Sequence, residues 1–208
     1  MNDQSTRITP GALASLVGSR LCHDLVSPLG AIGNGVELLQ MSGAFPGIAK
    51  SDEMQLISES IAAARSRIQS FRVAFGQAPG GQRVAHAEFE RLVHGLSSTG
   101  RLKVQLDSAG DHPRTDVRMV LLGLMCMESA MPWGGRVLVC RAGTRWRLVA
   151  EAERTKPDTA LWSWLGGAEM LPAATASEVH FPLLAEAAIE ARRDLQWELD
   201  ETGAEISF

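Results

Sequence analysis

Residues Leu21–Gly35 read LCHDLVSPLGAIGNG. In and beyond this stretch Leu21, Leu25, Leu29, Ile32, Val36 and Leu39 recur every three or four positions, the spacing of an apolar stripe along an α-helix. The same stretch sets His23 and Asp24 side by side, with Ser27 one turn on and Pro28 directly after it. Projected at ~100° per residue, Ser19, Arg20, Ser27, Gly30, Asn34 and Glu37 fall within about 60° of His23, and the stripe points the opposite way. Leu16 and Leu38 also fall on this side, farther along the helix. His23 is therefore expected to face solvent among small or hydrogen-bonding side chains, with Gly30 leaving room for another chain to approach.

Working outward, Thr9-Pro10 is a helix start, because Thr can cap and Pro fits the first helical position, and the helix is expected to run to about Gln40. MSGAFPG, Met41 to Gly47, breaks it. A second helix is expected from Ser51, followed by Asp52 and Glu53, with Ile57, Ile61, Ala64, Ile68, Phe71 and Phe75 as its stripe. Such a hairpin cannot bury both apolar faces alone, so a homodimer closing a four-helix bundle is expected.

APGGQ, Ala78 to Gln82, marks a boundary between a helical domain, residues 9–78, and a second domain, residues 82–208. There the pattern predicts helices near 86–96, 115–131 and 179–193, strands near 102–106, 136–141 and 146–152, and a closing hairpin, LQWEL and AEISF. The expected fold class is α+β: a helical hairpin followed by an α/β sandwich with helices on one face of a largely antiparallel sheet. Residues 156–175 carry no clear pattern, and Trp162 and Trp164 within them read as packed.

Composition narrows the function. Formal net charge is −4, tyrosine is absent and aromatic residues make up 5%, which argues against nucleic acid as a direct partner. The three cysteines, Cys22, Cys126 and Cys140, have no spacing that suggests a disulfide framework or a metal site. With neither a signal peptide nor a membrane span in the pattern, a cytoplasmic protein is expected.

An exposed imidazole is a nucleophile near neutral pH, and phosphoryl transfer to it requires in-line access and charge neutralisation. Asp24, a ~100° step around the helix, can tune the ring without blocking it, and Ser27 at i+4 can hydrogen-bond near the reacting group. Pro28 removes the amide that would bond the Asp24 carbonyl, and the resulting break is tolerable if it shapes a site. Against this, a lone surface histidine is ordinarily just solvated. Arg20 reads equally as a phosphate contact or a plain surface cation, and Cys22, diverging from His23, reads as packed.

The order H-D-x-x-S-P followed by NGVELL resembles the phosphoacceptor helix of the ChpT-type histidine phosphotransferases, relatives of the dimerisation and phosphotransfer module of sensor histidine kinases. RLCHDLVSPLGAIGNGVELL carries the resemblance, and LLGLMCMESAMPWGGRVLV with the closing helix and hairpin extends it more weakly. It implies His23 as phosphoacceptor, with Asp24 and Ser27 as catalytic companions and Arg20, Gly30 and Asn34 on the partner-binding face. The second domain then resembles a degenerate histidine-kinase ATPase-like domain. Where a kinase carries its metal-binding asparagine, counting back from Pro132, this chain has Cys126, and no Asp precedes a G-x-G turn after RLVAEAERTKPD. Gly134-Gly135 and Gly166-Gly167 read as loop glycines.

The resemblance thus implies a phosphorelay enzyme without ATP or a metal of its own, Mg²⁺ residing on the partner receiver domain. The implied donor is a CckA-like hybrid kinase and the implied acceptors are CtrA-like and CpdR-like response regulators. A non-catalytic dimeric scaffold that docks and inhibits a kinase or receiver is the alternative, and an autophosphorylating kinase is a third reading.

Overall fold

The computed structural model describes residues 10–78, 80–97, 101–167 and 175–208. The chain divides into two compact units, residues 1–77 and 78–208. The expected Thr9 cap, and part of the patternless segment, lie outside the described residues.

In the first unit α1 (Pro10–Met41) and α2 (Asp52–Ala74) pack as a hairpin, joined through a single 3₁₀ turn at Ile48–Lys50. Ser51 caps α2, its hydroxyl accepting from the Met54 amide at 3.2 Å, and Asp52 and Glu53 occupy the first turn, where the helix dipole favours carboxylates. α1 continues through Pro28 as one helix. Along α1, Ser15, Cys22 and Gly33 are buried and Val26, Leu29 and Val36 half-buried, whereas Leu21, Leu25, Ile32 and Leu39 stay exposed. The expected single stripe is corrected accordingly. One neighbouring helix covers only part of a helix's circumference, so Leu29 and Val36 lie on the covered face and the rest of the stripe forms a second, uncovered one.

In the second unit a five-stranded sheet has the order β2–β4–β5–β7–β6, formed by β2 (Leu102–Asp107), β4 (Gly135–Ala142), β5 (Arg145–Glu151), β7 (Gly203–Ser207) and β6 (Gln196–Leu199). The pair β2–β4 is parallel and the others are antiparallel. A two-residue pair, β1 (Arg83–Val84) with β3 (His112–Pro113), stands apart. α3 (His86–Ser97) packs on β2, and α4 (Arg114–Ala130) lies across β4, β5 and β7 with α6 (His180–Glu190) against it. Val137, Val139, Trp146, Leu148, Ala150, Ala204 and Ile206 fill the core, while alternate residues such as Arg136, Leu138 and Arg147 lie on the open face. The short α5 (Thr159–Trp162), capped by Asp158, places buried Trp162 against Phe181 and Trp197. The architecture is α+β, as the sequence pattern predicts.

Two buried polar groups tie the layers together. Asp116 at the start of α4 accepts from Trp146 Nε1 at 3.1 Å and from Arg193 Nη2 at 3.3 Å, linking helix, central strand and the chain after α6. His180 lies 3.0 Å from the Ser129 hydroxyl, whose own hydrogen goes to the Met125 carbonyl, so His180 Nε2–H is the donor.

Burial pushes the His180 pKa down to about 4. An unfolded chain takes up this proton as pH falls through ~6.5, and the folded chain resists it until the pH nears the folded value, so stability falls across that window. The loss is on the order of 3 kcal/mol. His180→Gln keeps the donor and removes the titration; urea unfolding of this variant between these two pH values should show a shallower pH dependence than the native chain, and an unchanged slope would contradict the assignment.

Candidate functional site

His23 occupies the middle of α1 with 76% of its side chain exposed, directly beside buried Cys22. Consecutive helical side chains diverge by ~100°, which allows one to be enclosed and the next to meet solvent. Burial pushes the Cys22 thiol upward, so it is a packing group and not a competing nucleophile.

The His23 ring is oriented by its neighbour. Asp24 Oδ1 lies 3.1 Å from His23 Nδ1, and a carboxylate can only accept, so Nδ1 carries a proton and, in the neutral ring, Nε2 is the nitrogen left with a lone pair. Asp24 Oδ2 accepts from Arg20 Nε at 2.7 Å, one turn back. The His23 hydrogen bond first, and Arg20 second, hold Asp24 below the ordinary carboxylate value, so it stays ionised and acts as a fixed negative group behind the imidazole. The result is a three-member relay of charge along the helix surface, Arg20 to Asp24 to His23.

The remaining candidates share this helix. Ser27 and Asn34 are exposed. A Cβ built on Gly30 would meet nothing within 4 Å, so this point on the surface is open. Arg20, expected on the partner-binding face as a phosphate contact or a surface cation, is committed to Asp24; the i,i+4 spacing of the two residues carries that pair in the sequence itself.

In the second unit Cys126 is fully buried, and burial holds its thiol well above its ordinary pKa. A protonated thiol inside the core is no ligand for Mg²⁺, which demands oxygen donors. Glu128, two residues on, lies 3.7 Å from Arg101. The glycines of PWGG are set by close backbone approach. Gly134 has φ 101°, and a Cβ there would come within 2.7 Å of the Arg101 carbonyl.

The family model for the histidine phosphotransferase C-terminal domain matches residues 86–203. The chain belongs to the histidine phosphotransferase family. The protein phosphotransferase ChpT of Brucella abortus (strain 2308) is 33% identical over 134 residues, covering 64% of this chain and 62% of that relative, so the match spans about three fifths of the curated protein's length. The solved structure of a bacterial phosphotransferase superposes with a TM-score of 0.68 at 23% identity, covering 97% of each chain, which shows a common fold. A histidine kinase domain from Erythrobacter litoralis follows at a TM-score of 0.48 and 13% identity, covering 88% of this chain and 92% of that one.

The Nδ1–H form of His23 is the less common one for a free imidazole, so its source can be tested. Nitrogen-15 NMR of the native chain should show Nδ1 protonated, and Asp24→Ala should shift the ring toward the Nε2–H form. A tautomer unchanged by that substitution would remove Asp24 from its orienting role.

Proposed function

We propose that this protein is a phosphorelay histidine phosphotransferase in which His23 carries the phosphoryl group between the aspartates of two receiver domains. The observation that carries the reading is the exposed His23 imidazole, held at Nδ1 by Asp24 with Nε2 turned to solvent. Family membership supports it.

In the proposed step, the Nε2 lone pair attacks phosphorus of an aspartyl phosphate on the donor receiver. The phosphorus–oxygen bond breaks with its electrons remaining on that carboxylate. Positive charge developing on the ring is stabilised through Nδ1–H by ionised Asp24, a contact already made before the reaction. The reverse sequence passes the group to the acceptor's aspartate, and Mg²⁺ belongs to the receiver's acidic pocket. The group does not come from ATP, a reading supported by the buried thiol at Cys126. By resemblance, the donor is a CckA-like hybrid kinase and the acceptors are CtrA-like and CpdR-like regulators, in the cytoplasm. No helix among the described residues is long and apolar enough to cross a membrane.

The active form is proposed to be a homodimer through α1 and α2. Leu21, Leu25, Ile32 and Leu39 leave an exposed apolar stripe on the side of α1 opposite His23, so a second hairpin covering it leaves the histidine free. Ile32→Asp should dissociate the dimer in sedimentation without unfolding the hairpin, because an unpaired carboxylate in the interface costs several kcal/mol. A native chain sedimenting as a compact monomer at micromolar concentration would remove the dimer from the proposal.

Phosphotransfer profiling against receiver domains tests the chemistry. His23→Ala should abolish labelling by a phosphorylated receiver, while changing stability by no more than about 0.5 kcal/mol, since the side chain is exposed. Labelling that persists in this variant, or labelling of the native chain by ATP alone, would overturn the mechanism. Gly30→Trp, placed in open space two turns from His23, should block transfer by bulk, whereas Asn34→Ala should only weaken it. Native-rate transfer by the tryptophan variant would move receiver docking off this face.

A further inference from the structure

The second unit carries a groove of about 970 Å³ that the relay reading does not use. Its floor is a row of side chains in register on the open face of the sheet: Lys103 of β2 opposite Arg136 of β4, and Arg136 opposite Glu151 of β5. Its wall is Trp133, an indole 56% exposed, with the Arg154 guanidinium 3.8 Å from the ring centroid. Arg101 and Glu153 complete the charged lining, so four cations face two carboxylates.

The lining cations are only weakly engaged: Arg101, more than half exposed, lies 3.7 Å from Glu128. Lys103 makes no ion pair among the described residues. Arg136 and Glu151 are 3.6 Å apart with both side chains about three-quarters exposed, and such surface pairs contribute little. A guanidinium stacked behind an indole, beside a cationic floor, is the arrangement that binds a flat aromatic base with its phosphates. A volume of this size suits one small ligand and not an extended chain.

We propose that this groove is a binding site for a nucleoside di- or triphosphate, with the base stacked on Trp133 and the phosphates paired by Lys103, Arg136 and Arg101. Binding alone is assigned to it, and no bond to phosphorus breaks there. The floor lies on the open face of the sheet, whereas Cys126, where a kinase-like metal ligand would stand, is enclosed in the core under the other face.

Titration of the full chain with GTP, GDP, ATP and ADP, followed by calorimetry and by tryptophan emission, tests the site without any phosphotransfer step. Trp146 and Trp162 are buried, Trp164 and Trp197 half-buried and Trp133 exposed, so the part of any quenching that Trp133→Ala removes locates the ligand. Saturable binding is expected, weakened about tenfold or more by Trp133→Ala and again by Lys103→Glu, the scale of a lost stacking or phosphate contact. Guanosine and pyrophosphate, each lacking half of the recognised chemistry, should bind far more weakly than GTP. Circular dichroism melts check that both variants fold, and their different side chains keep the test independent of either one alone. The site is overturned by absence of saturable binding up to about 1 mM nucleotide, the millimolar range being too weak for a specific small-ligand site. Binding that neither substitution changes would also overturn it. Pyrophosphate binding as tightly as GTP would leave only an anion patch, and tighter capture of an acidic peptide at the same residues would make the groove a protein-docking surface.

Discussion

The ~100° step between successive side chains of an α-helix is the constraint on which the candidate site depends. It lets Cys22 lie enclosed against α2 while His23, its immediate neighbour, stands in solvent. It also divides α1 into three faces. Ser15, Cys22 and Gly33 meet α2; Leu21, Leu25, Ile32 and Leu39 form an uncovered apolar stripe; and His23, Ser27, Gly30 and Asn34 occupy the side opposite that stripe. In the proposed relay the phosphoacceptor must be held firmly and yet reached in line by a bulky partner. A packed helix with one face left polar and sparsely covered meets both requirements, because its backbone is fixed by hydrogen bonds within the helix and not by contacts at the reacting group.

Local electrostatics then gives the ring a direction. Asp24 bridges Arg20 and His23 with its two oxygens, so the carboxylate is ionised and its orientation determined on both sides. Each contact is exposed and individually weak. Their value lies in geometry: the acceptor at Nδ1 selects which nitrogen carries the proton in the neutral ring, and so which one keeps its lone pair. Pro28 follows within the same turn as the carbonyl it deprives of a partner, yet α1 remains one helix. Beyond the proline Gly33 is buried and Leu29 and Val36 are half-buried.

The second unit is organised around a helix that is buried along most of its length. α4 encloses Val117, Met119–Leu122, Leu124, Cys126 and Met127, and Asp116 at its start fastens Trp146 and Arg193. An apolar residue type at Cys126 fits this packing, where a metal-binding amide would be a buried polar group in need of a partner. The turn after α4 needs glycines for steric reasons of its own, because a Cβ at Gly134 would crowd the Arg101 carbonyl and one at Gly135 the Glu151 carbonyl.

Periodicity and turn chemistry made much of this legible in the sequence. The two long helices, the Ser51 cap, the strands at 102–107, 135–142 and 145–151 and the closing hairpin all follow from local rules, as does the outward projection of His23. The Arg20–Asp24 pair was also present as an i,i+4 spacing. What local rules could not supply was decided by contacts distant in sequence. The pair β1–β3 is two residues long on each side, too short to show a period. Which half of the α1 stripe is covered depends on the width of a single neighbouring helix, and the sequence pattern marks apolar residues without saying how far a partner reaches. The groove beside Trp133 gathers residues from three strands and the loops that join them, brought into one row by sheet register. Sequence by itself determined the helices, the exposed histidine and the family motif, because these depend on neighbours within a turn. Tertiary structure alone decided which faces are closed and which side chains from separate strands stand together, because burial and register are properties of the packed chain.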